Sequence, residues 1–203
     1  MSTAIELKLD QESSRMVQGL RDHLISCGVR GMELEYPFQP HITIGYFHNI
    51  GRSEIDAVAR GLAGELGPLP VTLSHVGMFV KGECAVLFFG VTPSEQLLHA
   101  NRIVHERCLH VTTPDGPYST PGRLVPHCSL AENIPIEDMS RVLALLQASG
   151  AMSLPIEARA EELLVDVDGR EIWGHALSGL LLSPDPRELS RSFEVPRTPG
   201  MSA

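Results

Sequence analysis

Two short segments of the sequence place a histidine two residues before a hydroxyl side chain, each directly after a proline. They are Gln39-Pro40-His41-Ile42-Thr43-Ile44 and Val125-Pro126-His127-Cys128-Ser129-Leu130. On a β-strand, side chains at positions i and i+2 lie on the same face. We therefore expect each segment to present a histidine and a hydroxyl group on one face and apolar packing residues on the other.

These residue types suit the cleavage of a phosphodiester. An imidazole with a pKa near ~6.5 can accept or donate a proton at neutral pH, so His41 and His127 on opposite sides of a phosphate can act as general acid and base. The hydroxyls of Thr43 and Ser129 can hold the non-bridging oxygens, where negative charge builds up in the transition state. Such a site needs no metal, and no carboxylate cluster adjoins either motif in the sequence.

The bare His-x-Ser/Thr pattern is weak on its own. With nine histidines in the chain, about one copy is expected by chance. A third copy is present, His110-Val111-Thr112. It falls at a predicted helix end and lacks the preceding proline, so we interpret it as a chance match. The longer frame, in which a proline precedes the histidine and an aliphatic residue follows the hydroxyl residue on a strand, occurs once in each half.

Composition limits the class of protein. The chain has 203 residues, of which 43% are hydrophobic and 20% charged, and its formal net charge is −9. These values are typical of a soluble protein with one domain or two packed lobes. Proteins that grip long nucleic acids need a basic surface, so the charge favours a small or short anionic substrate.

The expected cellular context follows from what the sequence lacks. No stretch reaches the roughly 20 apolar residues of a membrane span, and the first residues show no signal-peptide pattern. The four cysteines are scattered without a C-x-x-C pair, which favours reduced thiols. We therefore expect a cytoplasmic protein that does not bind membranes.

Helices and strands alternate in the predicted order. Asp10 and Thr92 are predicted helix caps, and Ser53 and Asp56 are a predicted capping pair. Lys81-Gly82-Glu83 predicts a hairpin, and Asp166-Val167-Asp168-Gly169 a β-turn, since it lacks the ligand spacing of a calcium loop. The predicted strands are 4–9, 41–47, 71–80, 85–91, 124–130, 156–167 and 171–176, and the predicted helices are 10–27, 53–66, 92–109 and 135–149.

This order predicts an α+β protein with two similar lobes. Each half of the chain contributes one motif strand followed by a helix, so antiparallel sheets should line a central cleft with the helices outside. We expect residues 1–182 to form this single bilobal domain. Residues 183–203 contain four prolines and little periodicity, which predicts a flexible C-terminal extension.

On these motifs, the chain resembles the two-histidine (2H) phosphoesterase superfamily, which includes the 2′-5′ RNA ligase-like proteins and cyclic nucleotide phosphodiesterases. The resemblance covers roughly residues 4–176, including the hairpin between the motifs. It implies a bilobal fold with a pseudo-two-fold axis, and activity on 2′,3′- or 1″,2″-cyclic phosphates or on 2′-5′ linkages. His41 and His127 would be the acid–base pair, and Thr43 and Ser129 the phosphate holders.

Two positions depart from the pattern of the RNA-ligase-like relatives. Those relatives often have an arginine two residues after the Thr of the first motif and three residues after the hydroxyl residue of the second. This sequence has Gly45 and Glu132 there. The loss of two cations is compatible with a small substrate and weakens the case for a tightly bound RNA end.

Aromatic and basic residues near the motifs have simpler expected places. Tyr46 is a candidate substrate contact that can stack on a base. Phe47, Phe79 and Phe89 are expected in the core. Two basic residues that could reach a phosphate are expected to be solvated instead, Lys81 and Arg123.

Three functions remain open from the sequence. The first is a cofactor-free, metal-independent phosphodiesterase acting on a small cyclic nucleotide, a 2′-5′ linked nucleotide or a short RNA end, without an extended nucleic-acid surface. The second is a non-catalytic module that binds a nucleotide or RNA end in the same cleft. The third is an unrelated metallohydrolase using several of the nine histidines.

Overall fold

The computed structural model describes residues 2–30, 32, 38–108, 113–114, 118–150, 153–169 and 171–179. Within these residues the elements are β1 (Ser2–Leu9), α1 (Gln11–Ser26), β2 (His41–His48), α2 (Arg52–Glu65), β3 (Leu69–Lys81), β4 (Cys84–Val91), α3 (Glu95–Cys108), β5 (Thr113–Pro114), β6 (His127–Pro135), a 3₁₀ turn (Ile136–Asp138), α4 (Met139–Ala148), β7 (Ile156–Val167) and β8 (Glu171–Ala176). The third His-x-Thr copy and the proposed extension 183–203 lie outside the described residues.

The strands form one antiparallel path in the order β5-β2-β1-β7-β3-β4-β6, and β8 pairs with β7. The order is symmetric about the β7–β3 pair, with β2-β1-β7 on one side and β6-β4-β3 on the other. Apart from the added strands β5 and β8, each half of the chain folds as strand, helix, strand, helix, strand, and the last of these strands, β3 or β7, pairs within the other half's sheet. The predicted α+β fold with two similar lobes is confirmed, and the lobes share a continuous sheet.

The helices also cross between halves. Helix α1 contacts the motif strand β6, and α3 contacts the motif strand β2. The core between them is aliphatic and aromatic, and the Phe47 and Phe89 side chains are both fully buried as expected. Among the described residues, no helix is both long and apolar enough to span a membrane. The cytoplasmic location stays a prediction from the sequence.

Each motif strand contains a β-bulge at the third residue after its histidine. In the β1–β2 pair, Thr43 and Gly45 have partners on β1 and Ile44 between them has none. In the β4–β6 pair, Ser129 and Ala131 have partners, and the unpaired residue between them is Leu130. Such an extra residue interrupts the ladder and bends the strand, so its backbone groups need partners from elsewhere.

Two buried side chains supply those partners. The Asn101 amide on α3 donates to the Ile44 carbonyl at 2.7 Å, and the Arg21 guanidinium on α1 donates to the Leu130 carbonyl at 3.0 Å. Asn101 is 1% exposed and Arg21 is 3% exposed. A buried carbonyl without a donor is costly, so each helix fixes the bulge of the other half's motif strand.

The first helix begins as the sequence predicts, and the second does not. Asp10 accepts a hydrogen bond from the Ser13 backbone N–H at 2.9 Å. Helix α2 follows Gly51 and has no side-chain cap, so the capping pair with Asp56 is wrong. The Asp56 carboxylate instead accepts from the Trp173 and His175 rings on β8, at 2.8 and 2.9 Å. The Asp56 carboxylate is thus engaged by a tertiary contact with β8, which the local sequence does not indicate, and does not cap the helix.

Two further boundaries differ from the prediction. Helix α3 is capped by Ser94, whose hydroxyl accepts from the Leu97 N–H at 3.1 Å, and Thr92 lies before it. Strand β6 begins at His127, three residues later than expected. The delay follows from Pro126, which has no N–H to give to a ladder.

The bulge contacts give a stability prediction. Asn101→Leu keeps the side-chain volume but removes the donor to the Ile44 and Ser119 carbonyls, which are 2.7 and 2.6 Å from it. Chemical denaturation should show a loss of about 2–3 kcal/mol in unfolding free energy. The matched control, Gln147→Leu on the exposed face of α4, should change it by less than about 0.5 kcal/mol. Equal effects of the two changes would contradict the role assigned to Asn101.

Candidate active site

The two motif histidines are held in the same way. Each is the first residue of its strand, and its ring Nδ1 lies 2.7 Å from the carbonyl oxygen two residues earlier, that of Gln39 for His41 and that of Val125 for His127. A carbonyl can only accept, so Nδ1 carries the proton and Nε2 faces the other way. The proline between that carbonyl and the histidine restricts the backbone and so helps to fix the orientation of each ring.

The faces of both motif strands alternate as the sequence predicts. In each strand the histidine and the hydroxyl residue are half-buried, and the residues between and after them are fully buried. The half-buried set is His41, Thr43, His127 and Ser129, and the fully buried set is Ile42, Ile44, Cys128 and Leu130. Both segments therefore keep a polar face directed away from the core.

The two motif strands converge at their first residues. The His41 backbone N–H is directed at the Cys128 thiol, whose pKa burial raises to about 12, so this sulfur is a neutral packing group. The charge of His41 also lowers the pKa of His127, so the two rings lie near enough to interact. Residues from opposite halves of the chain are thus brought to one place.

The environment of His127 favours its neutral form. Burial lowers the pKa of this imidazole, and the charges of His41 and Lys81 lower it further. The Val125 carbonyl and the Glu132 carboxylate oppose that shift. A neutral imidazole with Nδ1 protonated has a free lone pair on Nε2, which is the form that a general base requires.

An aromatic cluster lies against His127. Phe79 was expected in the core, and this is wrong, because its end of β3 extends beyond the core and Val80 beside it is 62% exposed. The Phe79 ring stacks on Tyr118 with centroids 4.8 Å apart and an interplanar angle of 16°. Its edge contact with the His127 ring has a centroid distance of 5.0 Å. Tyr118 is 49% exposed, so the cluster has an accessible ring beside the histidine.

Glu6 is a site residue that the sequence did not reveal. Its Oε1 lies 3.2 Å from His41 Nε2, and the residue is 4% exposed. Burial raises the pKa of the Glu6 carboxyl; His41 opposes the shift, and Asp166 and Glu132 add to it. The apolar alternation of β1 suggests a solvent-facing Glu6, but β1 lies between β2 and β7 and is covered on both faces. Only the pairing of Glu6 with Thr43 across the sheet reveals its place.

The cavity beside Glu6 and His41 is small. Its volume is about 50 Å³, and Arg21, Asp166 and Glu132 also line it. That volume suits one or two water molecules, so a nucleotide has to lie outside it. A larger cavity of about 570 Å³ lies between the end of α2 and α3, next to His99, and its described lining contains neither motif.

The structure shows the surroundings of Gly45 and Glu132, the two positions where the resemblance led us to expect an arginine. Gly45 is buried, and a Cβ there would lie 2.7 Å from both Phe47 and Val104, so no arginine fits without repacking. Glu132, the corresponding position after the second motif, is exposed and carries a carboxylate. The bulge at Ile44 changes the alternation so that Tyr46 is half-buried like Thr43. Its described ring contact is with His48, at 6.3 Å, and its role as a substrate contact stays a prediction.

No group of three or more His, Cys, Asp or Glu side chains is arranged to hold a metal ion among the described residues.

The two basic residues noted in the sequence, Lys81 and Arg123, are exposed as expected. Lys81 is nevertheless near enough to lower the pKa of His127.

The family model described as the 2′-5′ RNA ligase superfamily matches residues 50–168, more than half of the chain. The protein belongs to the 2′-5′ RNA ligase superfamily of 2H phosphoesterases. The matched range includes His127 and Ser129 and begins after the first motif. The placement of His41 in a superfamily site therefore depends on the geometry above. No curated protein matches the chain in sequence.

Solved structures of distant relatives have the same fold. The crystal structure of TT0787 of Thermus thermophilus is 15% identical, with a TM-score of 0.57, covering 88% of this chain and 99% of that one. E. coli LigT complexed with 3′-AMP is 13% identical, with a TM-score of 0.52, covering 86% and 94%. At these identities the likeness establishes the superfamily fold alone.

The aromatic cluster gives a prediction for this site. Phe79→Ala removes the ring that shields His127, so water reaches the imidazole and its lowered pKa should rise towards the ordinary histidine value. NMR titration of the His127 ring resonances measures this shift. Val80→Ala, at the exposed neighbouring position, is the control and should leave the midpoint in place. If Phe79→Ala also leaves it unchanged, burial by the cluster is not the cause of the low pKa.

Proposed function

We propose that this protein is a metal-independent phosphodiesterase that hydrolyses a 2′,3′-cyclic or related cyclic phosphate, or cleaves a 2′-5′ linkage, in a nucleotide or short RNA end. The observation that carries the proposal is the meeting of two proline-led His-x-Ser/Thr strands from opposite halves. Both histidines have Nδ1 tied to a backbone carbonyl. Two imidazoles oriented alike from opposite sides suit an in-line displacement at phosphorus.

The proposed step uses each motif residue once. One Nε2 removes a proton from water as its oxygen attacks phosphorus, and the other histidine protonates the departing sugar oxygen. The hydroxyls of Thr43 and Ser129 donate to the non-bridging oxygens, whose charge is stabilised in the transition state. The sum is the addition of one water across a P–O bond, and it needs no metal ion.

Charge and shape support a small substrate. The net charge of −9 and the carboxylates of Glu6, Glu132 and Asp166 around His41 disfavour a long polyanion. Phe79 and Tyr118 offer a stacked aromatic surface beside His127, where a nucleobase can stack. Tyr46 is proposed as a second contact. The crystal structure of the relative LigT with bound 3′-AMP is compatible with a ligand of this size.

A second candidate is a non-catalytic module that binds a nucleotide in the same cleft. The replacement of two expected cations by Gly45 and Glu132 favours it, because charge stabilisation of a transition state is weaker without them. It predicts saturable binding of the nucleotides without turnover, whereas the phosphodiesterase predicts product formation.

The test of catalysis uses EDTA-treated protein with 2′,3′-cyclic nucleotides and 2′-5′ dinucleotides, with the products resolved by chromatography. Turnover should survive EDTA, and His41→Ala or His127→Ala should each lower kcat at least about 100-fold. His99→Ala, which removes an imidazole on α3 away from the motifs, is the matched control and should retain the wild-type rate. Wild-type turnover in both motif variants would refute the assigned mechanism, and metal-dependent turnover would favour the metallohydrolase.

A further inference from the structure

We propose that Glu6 makes the two motif histidines unequal by holding one proton jointly with His41, so that the Glu6–His41 pair is the general acid and His127 the general base. Glu6 is a positioning residue in this scheme, acting through His41. The inference rests on the proposed phosphodiesterase function and adds the direction of proton flow, which the near-symmetric motifs leave undecided.

The geometry at His41 accounts for both ring nitrogens. Nδ1 faces the Gln39 carbonyl at 2.7 Å, and Nε2 lies 3.2 Å from Glu6 Oε1. The carboxyl group is buried, at 4% exposure. Glu6 reaches this place because it is paired with Thr43 in the β1–β2 ladder, and residues paired across a ladder share a face of the sheet.

The contact requires a proton. An ionised carboxylate next to an unprotonated Nε2 would be a buried charge facing a lone pair, which is a costly arrangement. Either the imidazole is charged and pairs with the carboxylate, or the carboxyl group is neutral and carries the proton itself. In both cases one proton belongs to the pair and is available for a leaving oxygen.

His127 has a different neighbour at the equivalent position. Glu6 is paired with Thr43 on β2, and Phe88 is paired with Ser129 on β6. The Phe88 ring lies 5.1 Å from the His127 ring, measured between centroids. A phenyl group holds no proton and shields the imidazole from water. Both halves of the fold therefore have the histidine and the hydroxyl residue, but a carboxyl group lies beside His41 and a phenyl ring lies beside His127.

Most of the nearby charges act in the same direction, whereas the Arg21 cation beside the pair and the Glu132 carboxylate near His127 oppose it. The cavity of the Glu6–His41 pair is also lined by Asp166, Glu132 and Arg21, so two further carboxylates and one cation face the pair. On the other side, Lys81 and His41 lower the pKa of His127 and Glu132 opposes them. Negative charge stabilises a proton on the pair, and positive charge keeps His127 neutral.

The resulting step balances. Nε2 of His127 takes a proton from water, the water oxygen forms a bond to phosphorus, and the bond from phosphorus to a ribose oxygen of the cyclic phosphate breaks. The proton of the Glu6–His41 pair passes to that oxygen. His127 ends with one more proton and the pair with one fewer, and exchange with solvent restores both.

The test compares Glu6→Gln with the wild type on two leaving groups. On a 2′,3′-cyclic nucleotide, whose leaving sugar oxygen needs a proton, Glu6→Gln should lower kcat about 10- to 100-fold. On a nucleoside phosphodiester with 4-nitrophenolate as leaving group, which departs without a proton, the loss should be less than about threefold. His41→Ala should show the same selectivity, and His127→Ala should be defective on both.

Controls separate charge from structure. Glu161→Gln makes the same substitution at an exposed position of β7 and should keep the wild-type rate on both substrates. Glu6→Leu is a second variant, which removes the shared proton without placing an amide beside His41, and it should show the same leaving-group selectivity as Glu6→Gln. Equal losses on the two substrates in both Glu6 variants would overturn the proposal.

A measurement without turnover separates this inference from the proposed function. In ¹⁵N-histidine NMR spectra, the proton that the wild type shares between Nε2 of His41 and the Glu6 carboxyl group should be lost at a lower pH in Glu6→Gln, because glutamine carries neither that proton nor a carboxylate charge. If the wild type cleaves neither substrate but this shift is seen, the phosphodiesterase function fails and the proton-sharing pair stands. An unchanged titration in Glu6→Gln would overturn the pair itself.

Discussion

The carbonyl oxygens of Ile44 and Leu130 depend on buried donors from the opposite halves of the chain, Asn101 and Arg21. The bulges at these two residues fix where each motif strand bends, and the histidine lies three residues before the bend in both. Because a bulge carbonyl has no ladder partner, neither motif strand can be satisfied by its own half alone. Hydrogen bonds between the two halves therefore hold both motif strands in their bent form.

On this repeated scaffold, the chemical difference between the two sides comes from single residues. The partner of the hydroxyl residue across the ladder is Glu6 on one side and Phe88 on the other. The repeated motif orients two imidazoles alike, and the proposed direction of proton transfer depends on the difference between Glu6 and Phe88. A fold that duplicates its motif can in this way assign different roles to identical side chains without altering the backbone that positions them.

The sequence predicts what depends on local order and misses what depends on strand pairing. The period of two in the motif strands and the proline before each histidine are local, and they predict the polar face and most elements. The helix-capping role of Asp56 and the core position of Phe79 are wrong, because contacts with β8 and with Tyr118 decide them. The place of Glu6 in the site cannot be predicted for the same reason. Its partner lies on another strand, and only the sheet order places β1 between two neighbours.

The proposed site holds one phosphate between histidines from the two halves of the chain, and a crystal structure with a bound nucleoside 3′-monophosphate would show whether it does. We expect phosphoryl oxygens about 3 Å from Nε2 of His127 and from the Glu6–His41 pair, the hydroxyls of Thr43 and Ser129 on the remaining oxygens, and the base near Tyr118. A phosphate that contacts only one of the two histidines, or a nucleotide ordered in the cavity beside His99, would contradict the claim.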